Sequence, residues 1–318
     1  MIRAAIRGVG VWGPGLAGWP AARAVLAGAA PWQPDAHLPP APMLLPPAER
    51  RRAGAAARLA LTVAAEACAG AGLAAGSIPG VFATSNGDGA VVGALLETLA
   101  SDAPQVSPTQ FHNSVHNAAA GYWTIATGSR APVTCLSGHD GSFAAGLLRA
   151  TAEVCSAGGP VLLVVFDLPV PPPMMALRGT RFAFATALVL APAAERPLLP
   201  AAERPLLSSA ERPLLPIAER PLPFPAEGSS LPTASCRAGG PILAEFGLDF
   251  AAAPATAAWA LPQRRELHDL AGANPAARSL RLLEALAAGR EDRMSLALFA
   301  GRVDVELKPC SAPAASAR

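Results

Sequence analysis

Short apolar runs separate longer stretches of helical spacing along this chain, and their alternation predicts an α/β fold with largely buried strands. Residues 2–11 read as a first strand and residues 19–29 as a short helix, followed by an irregular Pro-rich stretch over 30–48. Leu59, Leu61, Val63 and Ala67 recur at helical spacing, which predicts one helix over 48–71. Residues 81–84 form a short apolar strand before Asn86-Gly87-Asp88-Gly89, whose residue types are those of a turn, and a helix over 90–100 follows. Residues 160–166 and 182–190 are continuous apolar runs, the pattern of strands covered on both faces, with a Pro-rich loop between them. Order resumes near 240–246, a late helix over 275–288 carries Leu280, Leu283 and Leu286 on one face, and 294–305 is an apolar segment.

Residues 107–150 carry the most chemistry. They read as a helix over 107–128, a short strand over 132–136, a Gly-rich turn, and a second helix that begins on the turn. Such an elbow presents a nucleophile at a helix N-terminus, where the dipole lowers a thiol pKa. Here the residue expected at its tip is missing. Ser137, His139 and Asp140 are neighbours in sequence and cannot form a triad with one another, and no GxSxG elbow exists. Asp140 or Ser142 is the expected N-cap of the helix that carries Phe143, Leu147, Leu148 and Val154. His112 and His116 stand at i, i+4, which places two imidazoles on one helical face. No acidic third ligand lies nearby, so with Asn113 and Asn117 they suggest a polar pocket or subunit contact, and no metal is expected. Gly8-Val9-Gly10-Val11-Trp12-Gly13 matches GxGxxG, but Pro14 and Gly15 follow at once. No helix starts where a pyrophosphate would sit, so a turn leaving the first strand is expected, not a dinucleotide site, and no cofactor is assigned.

Composition changes this picture in one place. Ala-Glu-Arg-Pro-Leu-Leu recurs with Glu195, Glu203, Glu211 and Glu219, a period of eight with one proline per unit. That spacing blocks a long helix and fits no solenoid repeat, so 192–232 is expected to be a disordered loop. It divides the chain into residues 1–191, the loop, a reduced part over 233–310, and a tail over 311–318. A net charge of +2 with scattered arginines gives no electrostatic case for nucleic acid, and Arg50, Arg51 and Arg52 read as a solvated helix face. Cys68, Cys135, Cys155, Cys236 and Cys310 show no CxxC spacing and read mostly as small buried hydrophobes. No uncharged apolar run reaches the roughly 18–20 residues of a membrane span. Breaks between Gly8 and Gly15 interrupt any signal-type stretch, so a soluble cytoplasmic chain without membrane contact is expected.

Asn117-Ala118-Ala119-Ala120-Gly121 through Ile125-Ala126-Thr127-Gly128 is similar to the N-x-A-A-G…I-A…G helix of β-ketoacyl synthases, the thiolase-fold condensing enzymes. The opening Ile6-Arg7-Gly8-Val9-Gly10 resembles their first strand and turn. Phe111-His112-Asn113-Ser114-Val115-His116-Asn117, Ser85-Asn86-Gly87-Asp88-Gly89 and Ser142-Phe143-Ala144-Ala145-Gly146-Leu147-Leu148 resemble a shorter family, β-ketoacyl synthase-like, N-terminal, which includes chain-length-factor-like subunits of aryl polyene pathways. The likeness covers residues 2–190 well and the rest weakly. It implies a thiolase-like fold with a well-formed N-terminal half and a shortened C-terminal half.

The departures from the family pattern set the functional expectation. Aligning Gly141 and Gly146 with the two glycines after the synthase cysteine puts Gly138 at the nucleophile position, and without a thiolate no acyl group can leave a carrier thioester. A competing register, in which Cys135-Leu136-Ser137-Gly138 matches C-x-S-G, needs three extra residues before Gly146 and takes five from the strand. Neither the HGT nor the GHxxGAAG motif of full synthases is present, and His268-Asp269-Leu270-Ala271-Gly272-Ala273-Asn274 only echoes the second. The resemblance thus implies a non-catalytic, chain-length-factor-like subunit. It would pair as a heterodimer with a β-ketoacyl synthase that has its cysteine, and the acyl carrier protein would bring phosphopantetheine to that partner. Family geometry would set the strand from Pro132 to Leu136 at the twofold, with Phe111, His112, Asn113, His116, Asn117 and Phe143 near the interface and tunnel floor. A free-standing acyltransferase using Cys135 and a scaffold using the repeat remain the alternatives.

Overall fold

A computed structural model describes residues 1–35, 41–102, 104–193, 240–252, 259–298 and 300–310. The repeat segment from residue 194 onward and the tail over 311–318 lie outside the described residues. The chain opens with a long strand, β1 (Ile2–Gly13), a two-residue strand, β2 (Leu16–Ala17), and helix α1 (Trp19–Leu26). Helices α2 (Pro47–Arg52) and α3 (Ala55–Gly70) lead to strand β3 (Gly80–Ala83), then to α4 (Gly89–Leu99), α5 (Pro108–Ser114) and α6 (Ala118–Thr127). Strand β4 (Val133–Leu136), helix α7 (Ser142–Ala157), and strands β5 (Val161–Asp167) and β6 (Phe184–Ala191) complete the first part. After the repeat come β7 (Ala244–Ala251), α8 (His268–Ala273), a 3-10 turn at Ala276–Ser279, α9 (Leu280–Ala288), β8 (Asp292–Leu298) and β9 (Gly301–Pro309).

The strands form one mixed sheet in the order β4-β3-β5-β6-β1-β7-β9-β8, with β2 beside β1. β4, β3 and β5 run parallel, as strand–helix–strand crossovers require, and the remaining neighbours pair antiparallel. β1 joins the two parts: Ile2–Ile6 pair with β7 and Ala5–Trp12 with β6, and the register shifts between Ile6 and Gly8. Helices α3 and α6 cover one face of the first part. Helix α7 covers the other and also touches β8 and β9, so it lies between the two parts of the sheet. α1, α8 and α9 share that inner core. All residues of β5 and β6 are buried, which the unbroken apolar runs predicted.

Four expectations about the strands and helices themselves change. The glycine motif at the N-terminus lies inside β1 and is not a turn. A Cβ on Gly8 would stand 2.0 Å from the Ala67 carbonyl oxygen, and one on Gly10 would stand 2.1 Å from that of Val63, so the glycines let α3 press onto the strand. The helix expected over 48–71 is two helices, because Gly54 interrupts it and Asp88 accepts from the Ala56 amide (3.4 Å) at the new start. The helix expected over 107–128 also breaks, with Val115 extended between α5 and α6, so His112 and His116 do not share a helical face. The apolar segment at 294–305 is the β8–β9 hairpin, in which Leu298 pairs with Gly301. No helix among the described residues is long and apolar enough to cross a membrane.

Candidate functional site at the strand-to-helix elbow

β3, β4 and β5 all end on the same side, at Ala83, Leu136 and Asp167, and the loops that leave them converge there. Parallel sheets place sites at these carboxyl ends. β4 runs into Ser137-Gly138-His139-Asp140-Gly141, and α7 starts at Ser142. The bend turns through His139, whose φ of 52° makes it the one non-glycine of positive φ among the described residues. Ser142, fully buried, closes the turn from inside: its hydroxyl donates to the His139 carbonyl (2.7 Å) and accepts from the Gly138 amide (3.1 Å). Gly141, not Asp140 or Ser142, occupies the N-cap position, where a Cβ would stand 2.8 Å from the Ala297 carbonyl oxygen of β8.

The spacing of the glycines singles out Gly138, and the backbone puts the left-handed residue one place later, at His139. Neither carries a sulfur atom. Cys135 lies within β4, opposite Phe82, and packs with Val133 into the α3–α6 side of the core, whereas Leu136 packs toward α7. Strand alternation thus turns the Cys135 thiol away from the helix that the elbow starts. Burial also pushes its pKa up, which favours the unreactive thiol.

Charge concentrates around the apex. Arg178, in the loop after β5, meets Asp140 Oδ1 with Nη2 (2.9 Å), and Arg278, from the 3-10 turn, meets Asp140 Oδ2 with Nη2 (3.1 Å). Arg278 Nη1 also donates to the Asp140 carbonyl (2.6 Å), and its guanidinium lies over the Trp259 ring at 3.2 Å. Arg178 donates to Asn86 Oδ1 (2.9 Å), to Ser85 Oγ and to the His139 ring. Beneath this layer Asp167, wholly buried, accepts at Oδ1 from Thr84 Oγ1 (3.0 Å) and from the amides of Ser85 (2.8 Å) and Asn86 (3.2 Å). Its Oδ2 has no partner. Burial pushes the Asp167 pKa up to about 7 against those hydrogen bonds and the pull of Arg178. Burial likewise lowers Arg278 to about 10, which leaves it charged at neutral pH. Asn274 anchors the 3-10 turn: its Nδ2 donates to the carbonyls of Asp167 (3.2 Å) and Phe182 (2.8 Å).

Of the sequence-predicted interface and tunnel residues, Leu136 and Phe143 flank the elbow and the others lie before β4. Phe111, His112, His116 and Asn117 are exposed along α5 and the start of α6, with the His112 ring edge-on to Tyr122 (5.4 Å). Asn113 donates to the Arg52 carbonyl (2.9 Å), Pro132 is exposed before β4, Leu136 is half-buried, and Phe143 is buried in the inner core. His268 bonds the Pro262 carbonyl (2.8 Å), and the side chain that reaches the elbow from this segment is Arg278. Sequence reasoning missed Asp167, Arg178, Asn274 and Arg278. The usable signal was a charged residue closing an otherwise apolar run (Asp167) or interrupting an apolar helical face (Arg278). Among the described residues no three His, Cys, Asp or Glu side chains gather to hold a metal.

This arrangement, an elbow between a parallel strand and a central helix, is that of the thiolase-like ketosynthases. The family described as β-ketoacyl synthase, N-terminal domain matches residues 24–217, and the chain belongs to it. No curated protein matches the sequence. Among solved structures the chain is similar to a ketosynthase, ApeO, in complex with its chain length factor, ApeC, from Xenorhabdus doucetiae, at 17% identity over 96% of this chain and 100% of that one, with a TM-score of 0.61. A β-ketoacyl synthase from Burkholderia phymatum STM815 gives 14% identity over 98% and 100%, TM-score 0.63. The ishigamide ketosynthase/chain length factor gives 16% over 98% and 100%, TM-score 0.60. At these identities the likeness establishes the fold.

Proposed function

We propose that the chain is a non-catalytic β-ketoacyl synthase-like subunit, a chain-length-factor analogue, that pairs with an active ketosynthase in polyene or fatty-acid-type chain elongation in the cytoplasm. The observation that carries this reading is the apex itself: His139 stands where the backbone bends, and the nearest cysteine in sequence, Cys135, points to the opposite side of the sheet with its thiol pKa raised. Acyl transfer from a carrier thioester needs a thiolate at the helix N-terminus. Arg178 donates to the His139 ring, which also ties up the imidazole that stands there.

Pairing is supported by the position of β4, an edge strand that is half-buried along its whole length, with Pro132 exposed just before it. Leu136 and the exposed face of α5 and α6, with Phe111, His112, Asn113, His116 and Asn117, are the residues assigned to the partner contact and tunnel floor. Phe143 supports them from the core. In this reading the acyl carrier protein reaches the pair through the catalytic partner, in an aryl polyene-type pathway. Incubation of the purified chain with acyl-carrier substrate should give no mass increase, and acylation that Cys135→Ala abolishes would establish the free-standing enzyme instead. Co-expression with an active ketosynthase from the same source should yield a heterodimer by size measurement; two separate species would sink the pairing.

A further inference from the structure

Asp140 is the carboxylate that meets both arginines at the elbow. Arg178 and Arg278 bring two guanidiniums together at the N-terminus of α7, where the helix dipole adds further positive potential. Their side chains are only 19% and 11% exposed, so they need a counter-anion. Asp140 supplies it with one oxygen to each arginine, at 2.9 and 3.1 Å. Asp167 is a poor substitute, because burial raises its pKa to about 7 and its Oδ1 already accepts from Thr84, Ser85 and Asn86. Asp140 is also the least enclosed of the three, 42% exposed, and it sits on the bend beside the left-handed His139. Arg278 Nε remains buried without an acceptor, so the pair has donor capacity to spare.

We propose that Arg178 and Arg278 form a carboxylate-binding cradle that the chain keeps closed with its own Asp140, and that withdrawing Asp140 opens it to a small external carboxylate. The ligand is a carboxylate because the two guanidiniums are spaced for one planar group with an oxygen on each, the geometry Asp140 now fills. The biological sense rests on the proposed function: a subunit without a nucleophile gains by not holding an acyl group that ends in a carboxylate and that its partner must use. The cradle itself rests on the elbow geometry alone.

The test is thermal unfolding of the full chain, wild type and Asp140→Asn, with sodium malonate, sodium phosphate, or sodium chloride at matched ionic strength. Malonate should raise the Asp140→Asn midpoint by about 5 °C over chloride and the wild-type midpoint by under about 1 °C. Adding Arg278→Gln to Asp140→Asn should remove the response. If Asp140→Asn shows no cooperative transition in chloride, malonate should restore one. No malonate response in Asp140→Asn, an equal response in wild type, or a response to phosphate alone overturns the proposal. No carrier protein or ketosynthase enters these measurements, so their failure leaves the pairing reading standing, and failure of pairing leaves the cradle standing.

Discussion

The two parts of the sheet bury themselves in different ways. In the first part β5 and β6 are covered on both faces, by α3 on one and α7 on the other, and every residue in them is buried. In the second part β7, β9 and β8 turn Phe246, Leu248, Val303, Val305, Met294 and Leu296 toward the core. Their other face carries Glu245, Asp249, Arg302, Asp304, Glu306 and Arg293 at least partly in solvent. The elbow lies where the two meet, with Asp140 drawn to Arg178 of the first part and Arg278 of the second. The doubly covered part fixes the backbone of the site, and the half-open part contributes a side chain to it.

The same substitution made in both parts gives the largest contrast. At Gly10 an added Cβ meets main-chain atoms of α3, which cannot yield without moving the helix. Gly10→Ala should therefore cost roughly 4 kcal/mol or prevent folding. At Gly247, on the outer face of β7, the obstacle is the Met1 side chain with Sδ at 2.8 Å, and a flexible thioether can swing aside. Gly247→Ala should change stability by no more than about 0.5 kcal/mol. Urea titrations of the two variants check this, and equal losses would erase the distinction.

That distinction also explains what could be read from the sequence. The runs that become β5 and β6 are legible because burial on both faces leaves no polar interruption before Asp167. The β8–β9 hairpin looks like one apolar segment because the same alternation of buried and open positions runs through both strands. The bend and the helix after it were legible from the glycines, but the residue at the apex was not, since His139 adopts a conformation that its residue type rarely needs. The charge network was hidden for a different reason. Arg278 meets Asp140 across a separation of 138 residues, and no local pattern marks such a contact. The expected helix through residue 128 failed because its glycine and alanine spacing said nothing of the break at Val115.

The next largest effect is in the pH dependence of the first part. Asp167 has its pKa raised from 3.8 to about 7 by burial, so the folded chain holds its proton more tightly than the unfolded chain does. Between about pH 4 and pH 7 the native state therefore binds the extra proton, and stability falls as pH rises through that window, by up to about 4 kcal/mol. Asp167→Asn keeps an acceptor for Thr84 and the Ser85 amide but cannot ionise. Its stability should stay flat where the wild type declines, so the two curves diverge toward neutral pH with the variant above. Denaturation at intervals across that range measures it, and parallel curves would mean that Asp167 ionises in the folded chain as it does in the unfolded one, with no shift from burial.

The smallest effect has the opposite sign and comes from the half-open part. Asp304, on the outer face of β9, accepts from the Ser295 hydroxyl of β8 and from Arg302 Nε (3.0 Å), and the Ser295 bond, followed by Arg302, holds its pKa below the usual value. A depressed carboxylate stabilises above its unfolded pKa, and that contribution is lost as pH falls through the folded value. The side chain is more than a third exposed, so solvent screens the gain to less than about 0.5 kcal/mol. Asp304→Asn should thus match Asp167→Asn in chemistry and oppose it in direction: a slight loss near neutral pH that disappears in acid. Ser295→Ala should reproduce most of that loss, because the hydroxyl is the larger cause, whereas Arg302→Gln should give less. If Asp304→Asn instead gained stability toward neutral pH, as Asp167→Asn should, the two aspartates would share one environment and the contrast between covered and open faces would fail.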